Sequence, residues 1–220
     1  MRYDILLWDL DGTLTDSKEG ITRSVQYALS RLDYPIPEAD DLDWIIGPPL
    51  KESFKTLLQT TDEALLNQAI IIYRERFREI GIYENIVYPG IPEILFELKE
   101  KGCKHLLATS KPRVFAEKIL QHFLLEEYFD VIMGSELNGQ FAEKETVIEE
   151  VLKRVPGNSL SKTVMIGDRK YDVHGARANQ IDVIAVGYGY GTVDELQAAN
   201  PDFIVPSVEG LGKLLLNDLE

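Results

Sequence analysis

The sequence predicts an α/β protein, with helices on both faces of a parallel sheet and a small all-helical block inserted after the first strand. Three observations support this fold class. Residues 3–8 form an apolar run of strand length, as expected of a strand that is buried on both faces. From residue 91 onward, short apolar runs alternate with segments of helical periodicity, which is the pattern of a parallel sheet. Between these regions, residues 17–82 show helical periodicity and no convincing strand.

The same signals place the individual elements. The inserted block is expected to contain helices at residues 17–32, 42–46, 50–58 and 62–80. The following region is expected to contain strands 105–109, 131–133, 163–167, 183–186 and 203–205, with helices 91–101, 113–123, 144–155, 171–179, 193–199 and 208–216 around them. We therefore expect a core domain formed by residues 1–15 and 83–220, and a helical cap domain formed by residues 16–82.

The composition excludes several classes of function. A chain of 220 residues with 45% apolar and 27% charged residues is typical of a soluble globular protein. A net charge of −14 without clustered Lys or Arg argues against nucleic acid as a partner. Cys103 is the only cysteine, so neither an intramolecular disulfide nor a cysteine-rich zinc site is expected. His105, His122 and His174 share no metal-ligand spacing and are expected to be structural.

No segment of the sequence resembles a membrane anchor or a secretory signal. The apolar runs are shorter than the roughly 18 to 20 residues that a membrane span needs, and Asp4 and Asp9 interrupt the first run before it reaches signal length. We therefore expect a cytoplasmic protein that does not bind membranes.

Two aspartates directly follow the first strand. Asp9 and Asp11 stand at its carboxyl end, before Gly12, and in open α/β sheets that end is where ligands bind. Side chains two positions apart on a strand point the same way, so two anions there cost folding energy unless a cation or a proton compensates them. A capping or turn role explains the pair less well than catalysis or metal binding.

Polar groups also follow other predicted strands, namely Thr109, Ser110, Lys144, Asp168 and Asp172. Because parallel strands end at one edge of the sheet, these groups are expected in the same crevice. Three carboxylates in that crevice would repel one another by roughly 4 kcal/mol per pair at about 4 Å, with an effective dielectric constant near 20. An oxygen-liganded cation such as Mg²⁺ would relieve this repulsion.

In this order, the segments resemble the motifs of the haloacid dehalogenase superfamily of phosphohydrolases. They are residues 9–14 (DLDGTL), 107–110 (LATS), Lys144 and 165–172 (MIGDRKYD). The first and fourth motifs are highly specific, and the resemblance covers essentially the whole chain, including a helical cap after the first motif. It implies a Rossmann-like core with an inserted cap and a Mg²⁺-dependent phosphatase that acts through a phospho-aspartyl intermediate.

The resemblance also implies roles for the acidic residues. Asp9 would be the nucleophile, and Asp11 would protonate the leaving alcohol and then activate water. The Asp9 side chain, the Asp11 main-chain carbonyl and Asp168 would bind Mg²⁺, with Asp172 in or just behind the coordination shell. An aspartate favoured by the dipole of its helix explains Asp172 equally well.

Thr109, Ser110 and Lys144 would contact the phosphate. A hydroxyl and free main-chain N–H groups before a helix can hold phosphate oxygens, although Ser110 could equally be a simple helix cap. Lys144 would neutralise the nucleophile and the transferring phosphoryl group. Lys111 and Lys170 compete for this role, and we favour Lys144 because it begins a helix after the third core strand, as the family lysine does.

Two glycine-containing loops are less informative. The loop at residues 46–51 interrupts the cap, and in related enzymes with this cap type such a loop dips over the active site. We therefore expect Gly47, Pro48 and Lys51 to contact substrate, although a plain helix-breaking loop explains the residues nearly as well. Residues 188–191 (YGYG) are interpreted as a flexible connection rather than a phosphate loop.

Asp11 separates the functions within the superfamily. Dehalogenases lack a carboxylate two residues after the nucleophile, because their chemistry has no leaving alcohol to protonate. The motifs and cap most resemble the phosphoglycolate phosphatase and 5′-nucleotidase-like group. We therefore predict hydrolysis of a small phosphorylated metabolite by a monomer or homodimer. The alternative is a sugar phosphomutase resembling β-phosphoglucomutase, and the cap and the first-strand Asp9 disfavour a non-catalytic phosphoacceptor module.

Overall fold

The computed structural model describes residues 3–155 and 160–217. Its strands are β1 (Ile5–Trp8), β2 (Thr15–Asp16), β3 (Ile86–Val87), β4 (Lys104–Pro112), β5 (Val131–Ser135), β6 (Thr163–Gly167), β7 (Asp182–Val186) and β8 (Phe203–Val205). Six of them form one sheet in the order β5-β4-β1-β6-β7-β8, and every neighbouring pair in it is parallel. The other two, β2 and β3, form a short antiparallel ribbon.

Helices surround the sheet and fill the chain between the ribbon strands. The α-helices are α1 (Lys18–Arg31), α2 (Leu50–Leu58), α3 (Glu63–Arg76), α4 (Ile91–Glu100), α5 (Arg113–His122), α6 (Lys144–Lys153), α7 (Lys170–Ala178), α8 (Val193–Ala199) and α9 (Val208–Asn217). A 3₁₀ segment, Ala39–Ile45, follows α1, and a π-helical turn, Phe77–Gly81, continues α3.

The central strand is apolar throughout because both of its faces are covered. Leu6 and Trp8 pack into one hydrophobic cluster, and Ile5 and Leu7 pack into the other. This alternation follows from the two-residue period of a strand. It confirms the predicted fold class, a parallel sheet in an α/β protein with helices on both faces.

Strand β4 continues to Pro112, beyond the predicted end at residue 109. Three further differences concern the helical region and its connections. The predicted helix at residues 62–80 leaves α-helical geometry after Arg76 and becomes the π turn. The predicted helix at residues 42–46 is part of a 3₁₀ segment. The β2–β3 ribbon was not predicted, because two-residue strands carry no periodicity.

The ribbon is where the chain enters and leaves the helical block, which is residues 17–85 between the two ribbon strands. Thr15 pairs with Val87 and Asp16 pairs with Ile86, so the two connections run side by side. The division into a core domain and a cap at residues 16–82 stays a prediction, and residues 1–2, 156–159 and 218–220 of that core lie outside the described part of the chain.

Among the described residues, no helix combines the length and the apolar character required to cross a membrane. The cytoplasmic location and the monomeric or homodimeric state stay predictions.

Candidate active site

Asp9 is positioned by the sheet itself. It directly follows β1, and its main-chain N–H donates a hydrogen bond of 2.9 Å to the carbonyl of Ile166 on β6. The chain then turns tightly, since the N–H groups of Leu14 and Thr15 both donate to the Leu10 carbonyl. This turn places Asp11 at the same sheet edge, and both carboxylates are buried, at 3% and 8% exposure.

Gly12 is required by this turn. Its φ angle is +84°, a conformation that side chains rarely adopt. A Cβ atom at this position would lie 2.1 Å from Asp168 Oδ2. A glycine is therefore the residue that lets the turn approach Asp168.

Lys144 lies between two carboxylates. Its Nζ is 2.7 Å from Asp9 Oδ1 and 2.9 Å from Asp172 Oδ1, and it donates a 3.0 Å hydrogen bond to the Ala108 carbonyl. Burial alone would lower the pKa of Lys144, but the charges of Asp172 and Asp9 outweigh burial and raise it. The side chain is therefore an ammonium group in contact with Asp9, at the position that the sequence favoured over Lys111 and Lys170.

Three buried carboxylates converge at this edge. Asp9, Asp168 and Asp172 each offer one oxygen, and these atoms lie within 4.8 Å of one another. Burial raises the pKa of Asp168 well above its usual range, and the charges of Asp172 and Asp9 add to this shift. Burial also raises the pKa of Asp9, against the opposing charge of Lys144. The three carboxylates therefore repel one another in the absence of a bound cation.

The donor set fits Mg²⁺. Asp168 Oδ1 is buried and accepts no hydrogen bond from the described residues, while Oδ2 accepts one of 2.7 Å from the Tyr190 N–H. The cluster contains only oxygen donors, which hard divalent cations prefer. Asp172 Oδ2 accepts a hydrogen bond from the Arg169 N–H at the start of α7, as its helix-terminal role predicts, and its Oδ1 contacts Lys144 in the cluster. Metal binding by Asp172 stays a prediction.

Lys111 forms the contact that sequence reasoning missed. Its Nζ is 2.8 and 2.6 Å from the two carboxylate oxygens of Asp11. The same ammonium lies 4.9 Å from the ring centroid of Phe77, on the π turn of the helical block. In the sequence, Lys111 was considered only as a competitor of Lys144. Its position directly after the 107–110 motif was the one sequence feature that could have placed it at the active site.

Thr109 and Ser110 line the same cavity as Asp9 and Asp11. Thr109 Oγ1 accepts a 3.3 Å hydrogen bond from the Lys111 N–H, and the Ser110 carbonyl accepts one of 2.7 Å from Ser135 Oγ. The alternative that Ser110 caps the next helix is wrong, because β4 continues to Pro112 and no side chain caps α5.

A cavity of about 580 Å³ lies between the sheet edge and the helical block. Gly47, Pro48 and Lys51 line this cavity, and their contact with substrate stays a prediction. The Lys51 ammonium is already paired, because its Nζ lies 2.5 Å from Glu63 Oε2. The cavity wall also contains apolar side chains from both sides, among them Ile70, Tyr73, Phe77 and Phe115.

Arg169 joins the loop of the helical block to the core. Its Nη1 donates to the Ile46 carbonyl, and its Nε donates to Glu195 Oε1 at 2.9 Å. A Cβ atom on Gly47 would lie 2.9 Å from Arg169 Cγ. The sequence gave no indication of this contact, because its partners are far apart along the chain.

The loop after β7 is held tightly, which contradicts its interpretation as a flexible connection. Tyr188 OH donates to the Thr13 carbonyl at 2.9 Å, and Tyr190 OH donates to Asp16 Oδ1 at 2.7 Å and accepts from the Ser17 N–H at 2.8 Å. The loop thus contacts both the turn after β1 and the start of the helical block.

The fold and the site together define an α/β enzyme of the haloacid dehalogenase type. A family model described as "Haloacid dehalogenase-like hydrolase" matches residues 6–186. The chain belongs to this family, which confirms the predicted superfamily and the prediction of a phosphatase-type enzyme.

Relatives of this chain cover nearly its full length. It is 46% identical over 217 residues to a 5′-nucleotidase from Pseudomonas aeruginosa, covering 98% of this chain and 96% of that protein. It is 38% identical to the tyrosine-protein kinase PtkA of Mycobacterium tuberculosis, covering 86% of this chain and 64% of that one. A crystal structure of a predicted phosphatase from Clostridium acetobutylicum superposes with a TM-score of 0.94 at 44% identity, covering 99% of this chain and 100% of that one.

Proposed function

We propose that this protein hydrolyses the phosphate monoester of a small metabolite in a Mg²⁺-dependent reaction through a phosphorylated Asp9. One observation carries the proposal: Asp9 lines a cavity, pairs with the buried ammonium group of Lys144, and has carboxylate oxygens of two further aspartates within 4.8 Å. The printed names of the Pseudomonas aeruginosa relative and of the Clostridium acetobutylicum structure support a phosphatase. The first of these names favours nucleoside monophosphates as the first substrates to test.

The chain's own residues supply the two chemical steps. Asp9 attacks phosphorus and forms an acyl phosphate, while the bond between phosphorus and the leaving oxygen breaks. Asp11 enters this step as the carboxylic acid, gives that oxygen its proton and becomes a carboxylate. Asp11 then takes a proton from a water molecule, which attacks phosphorus and releases inorganic phosphate and free Asp9. Lys111 holds the Asp11 carboxylate, and Lys144 holds the Asp9 carboxylate.

Asp9, Asp168 and Asp172, with the Asp11 carbonyl, are the groups that would hold Mg²⁺. The bound cation would neutralise charge on the phosphate oxygens. Thr109 and Ser110 would contact the same oxygens. The loop at Gly47, Pro48 and Lys51 would contact the rest of the substrate, since it lines the cavity opposite the sheet edge.

The first experiment measures phosphate release from p-nitrophenyl phosphate, with and without exhaustive removal of Mg²⁺. We expect turnover only with Mg²⁺, no turnover for Asp9→Asn, and no acid-stable phospho-enzyme in that variant. Asp41→Asn, which changes an exposed aspartate outside the cavity, is the control and should keep full activity.

Metal-independent turnover would contradict the proposal, and so would phospho-labelling of the Asp9→Asn protein. Release of inorganic phosphate without any requirement for a sugar bisphosphate would separate the phosphatase from the phosphomutase alternative. A panel of nucleoside monophosphates, phosphoglycolate, sugar phosphates and pyrophosphate then identifies the substrate.

A further inference from the structure

Arg74, on α3 of the helical block, is half-buried and lines the cavity that also contains Asp9 and Asp11. Its Nη1 donates a 3.0 Å hydrogen bond to the Leu137 carbonyl, on the loop after β5. A guanidinium group has five N–H donors. The described residues therefore use a small part of its hydrogen-bonding capacity.

No carboxylate compensates the charge of Arg74 within the described part of the chain. The other described arginines that are partly or fully buried pair with acidic side chains: Arg76 with Glu84, Arg113 with Glu117, and Arg169 with Glu195. Burial lowers the pKa of Arg74, the neighbouring Arg78 adds to that effect, and the opposing contribution comes from Tyr73 rather than from an acidic residue. In a protein with a net charge of −14, this is an unusual position for an unpaired cation.

The cations near the sheet edge are already in use. Lys144 contacts Asp9 and Asp172, and Lys111 contacts Asp11. On the side of the helical block, Lys51 pairs with Glu63. Arg74 is thus the cavity-lining cation that, among the described residues, has no acidic partner.

The chemistry of arginine indicates what would satisfy it. Its planar fork binds phosphate or carboxylate with two parallel hydrogen bonds, and a partly desolvated site strengthens them. The wall of the cavity that Arg74 lines also includes Tyr73, Phe77 and Phe115. A cavity of about 580 Å³ holds much more than one phosphate group.

We propose that Arg74 binds a second anionic group, a phosphate or a carboxylate, on the leaving-group part of the substrate. This inference rests on the proposed phosphatase function, since it places the scissile phosphate at Asp9. The preferred substrates would be phosphate esters whose organic part is apolar near the middle and carries another negative charge at its far end. Recognition of that charge would come from the helical block rather than from the core.

The test uses three ligands that differ only at one end: pentyl phosphate, pentane-1,5-diol bisphosphate and 5-(phosphonooxy)pentanoate. Their binding to the Asp9→Asn protein is measured by calorimetry with Mg²⁺ present, so that the result does not depend on turnover. The same measurement is repeated with Arg74→Gln added, and with Arg78→Gln added as the control. Arg78 is an exposed cation four residues away and lies outside the cavity wall.

We expect at least one of the two ligands with a second anionic group to bind about 10 to 100-fold more tightly than pentyl phosphate, as for a charged hydrogen-bonded pair. Arg74→Gln should reduce this advantage to about twofold or less, and Arg78→Gln should leave it unchanged. The ligand whose affinity falls more on Arg74→Gln identifies the anion that Arg74 binds as phosphate or carboxylate. No advantage in the starting protein, or an advantage that survives Arg74→Gln, would overturn the inference, whereas absent turnover of p-nitrophenyl phosphate would overturn the phosphatase function itself.

Discussion

At the scale of single residues, Lys144 explains how the acidic cluster is tolerated. Its Nζ contacts both Asp9 and Asp172, and all three side chains are almost completely buried. Removing one partner of a buried ion pair usually costs more than the pair contributes, because a charge is left buried without compensation. Lys144 therefore stabilises the metal-free protein as well as the nucleophile.

We predict that Lys144→Met destabilises the metal-free protein by about 3 to 5 kcal/mol. The carboxylates of Asp9 and Asp172 would remain buried without their cation. The measurement is the free energy of unfolding by urea in the presence of a chelator.

Lys170→Met is the matched control for this substitution. Lys170 begins α7 close to the site, but no ion pair of its ammonium with the cluster is present among the described contacts. It should change the unfolding free energy by less than about 1 kcal/mol. A Lys144→Met protein as stable as the Lys170→Met protein would show that the cluster does not depend on this ammonium group.

At the scale of elements, the loop after β7 contacts the chain at the β2–β3 ribbon, where the helical block begins and ends. Tyr190 bonds to Asp16 and Ser17 through its hydroxyl, and its main-chain N–H bonds to Asp168 in the carboxylate cluster. Tyr88, which follows β3, packs edge-on against Tyr188 with a centroid distance of 5.0 Å. One loop thus contacts the cluster and both connections to the helical block.

The Tyr190→Phe substitution tests this link. It removes the acceptor of the Ser17 N–H, so we predict that amide hydrogen exchange at Ser17 becomes about 5 to 13-fold faster, as expected for loss of a hydrogen bond worth about 1 to 1.5 kcal/mol. Exchange is followed by NMR on the otherwise unchanged protein.

Tyr188→Phe provides the comparison for this measurement. It removes a hydroxyl of the same loop that donates to the Thr13 carbonyl instead, so protection at Ser17 should persist. Equal exchange rates at Ser17 in both variants would mean that the Tyr190 hydroxyl does not hold the start of the helical block.

At the scale of the whole molecule, His105 is a titratable side chain that the fold buries completely. His105 is fully buried on β4, and its Nδ1 accepts a 3.0 Å hydrogen bond from Trp8 Nε1. Burial lowers the pKa of His105 to about 4. The histidine is neutral in the folded protein at pH 7, in agreement with its predicted structural role.

This shift makes the stability of the fold depend on pH. In the unfolded chain a histidine has a pKa near 6.5, so between about pH 6.5 and 4 the unfolded state binds the proton and the folded state does not. Stability is therefore lost as the pH falls through this window. We predict that His105 alone contributes a loss of about 3 kcal/mol between pH 7 and pH 4.

The measurement compares the urea unfolding free energy of the starting protein and of His105→Asn at both pH values. Asparagine can still accept from Trp8 but does not titrate, and the carboxylates contribute equally in both proteins. The starting protein should lose about 3 kcal/mol more than the variant. Identical pH dependence would show that folding does not lower the pKa of His105.

Much of the fold was predictable because its signals are local. The strand from Ile5 to Trp8 is apolar at every position, since both of its faces are buried, and the alternation after residue 91 follows from the same rule. The π turn at Phe77–Gly81 and the β2–β3 ribbon were not predictable. Their geometry depends on neighbours that are distant in sequence.

For the site, the sequence by itself determined which groups stand at the strand ends: Asp9, Asp11, Thr109, Lys144 and Asp168. Thr109 lies in the last part of β4, and each of the others follows a strand or begins the helix after one, so topology alone brings them to one edge of the sheet. The tertiary structure decided the partners of these groups. Each of three contacts joins residues more than 60 positions apart: Lys111 with Asp11, Arg169 with Ile46, and Arg74 with the Leu137 carbonyl. The charge of Arg74 has no acidic partner among the described residues. The Lys111–Asp11 pair arises where neighbouring strand ends meet, and the contacts of Arg169 and Arg74 arise where the helical block packs on the core. No periodicity or motif in the chain encodes these contacts.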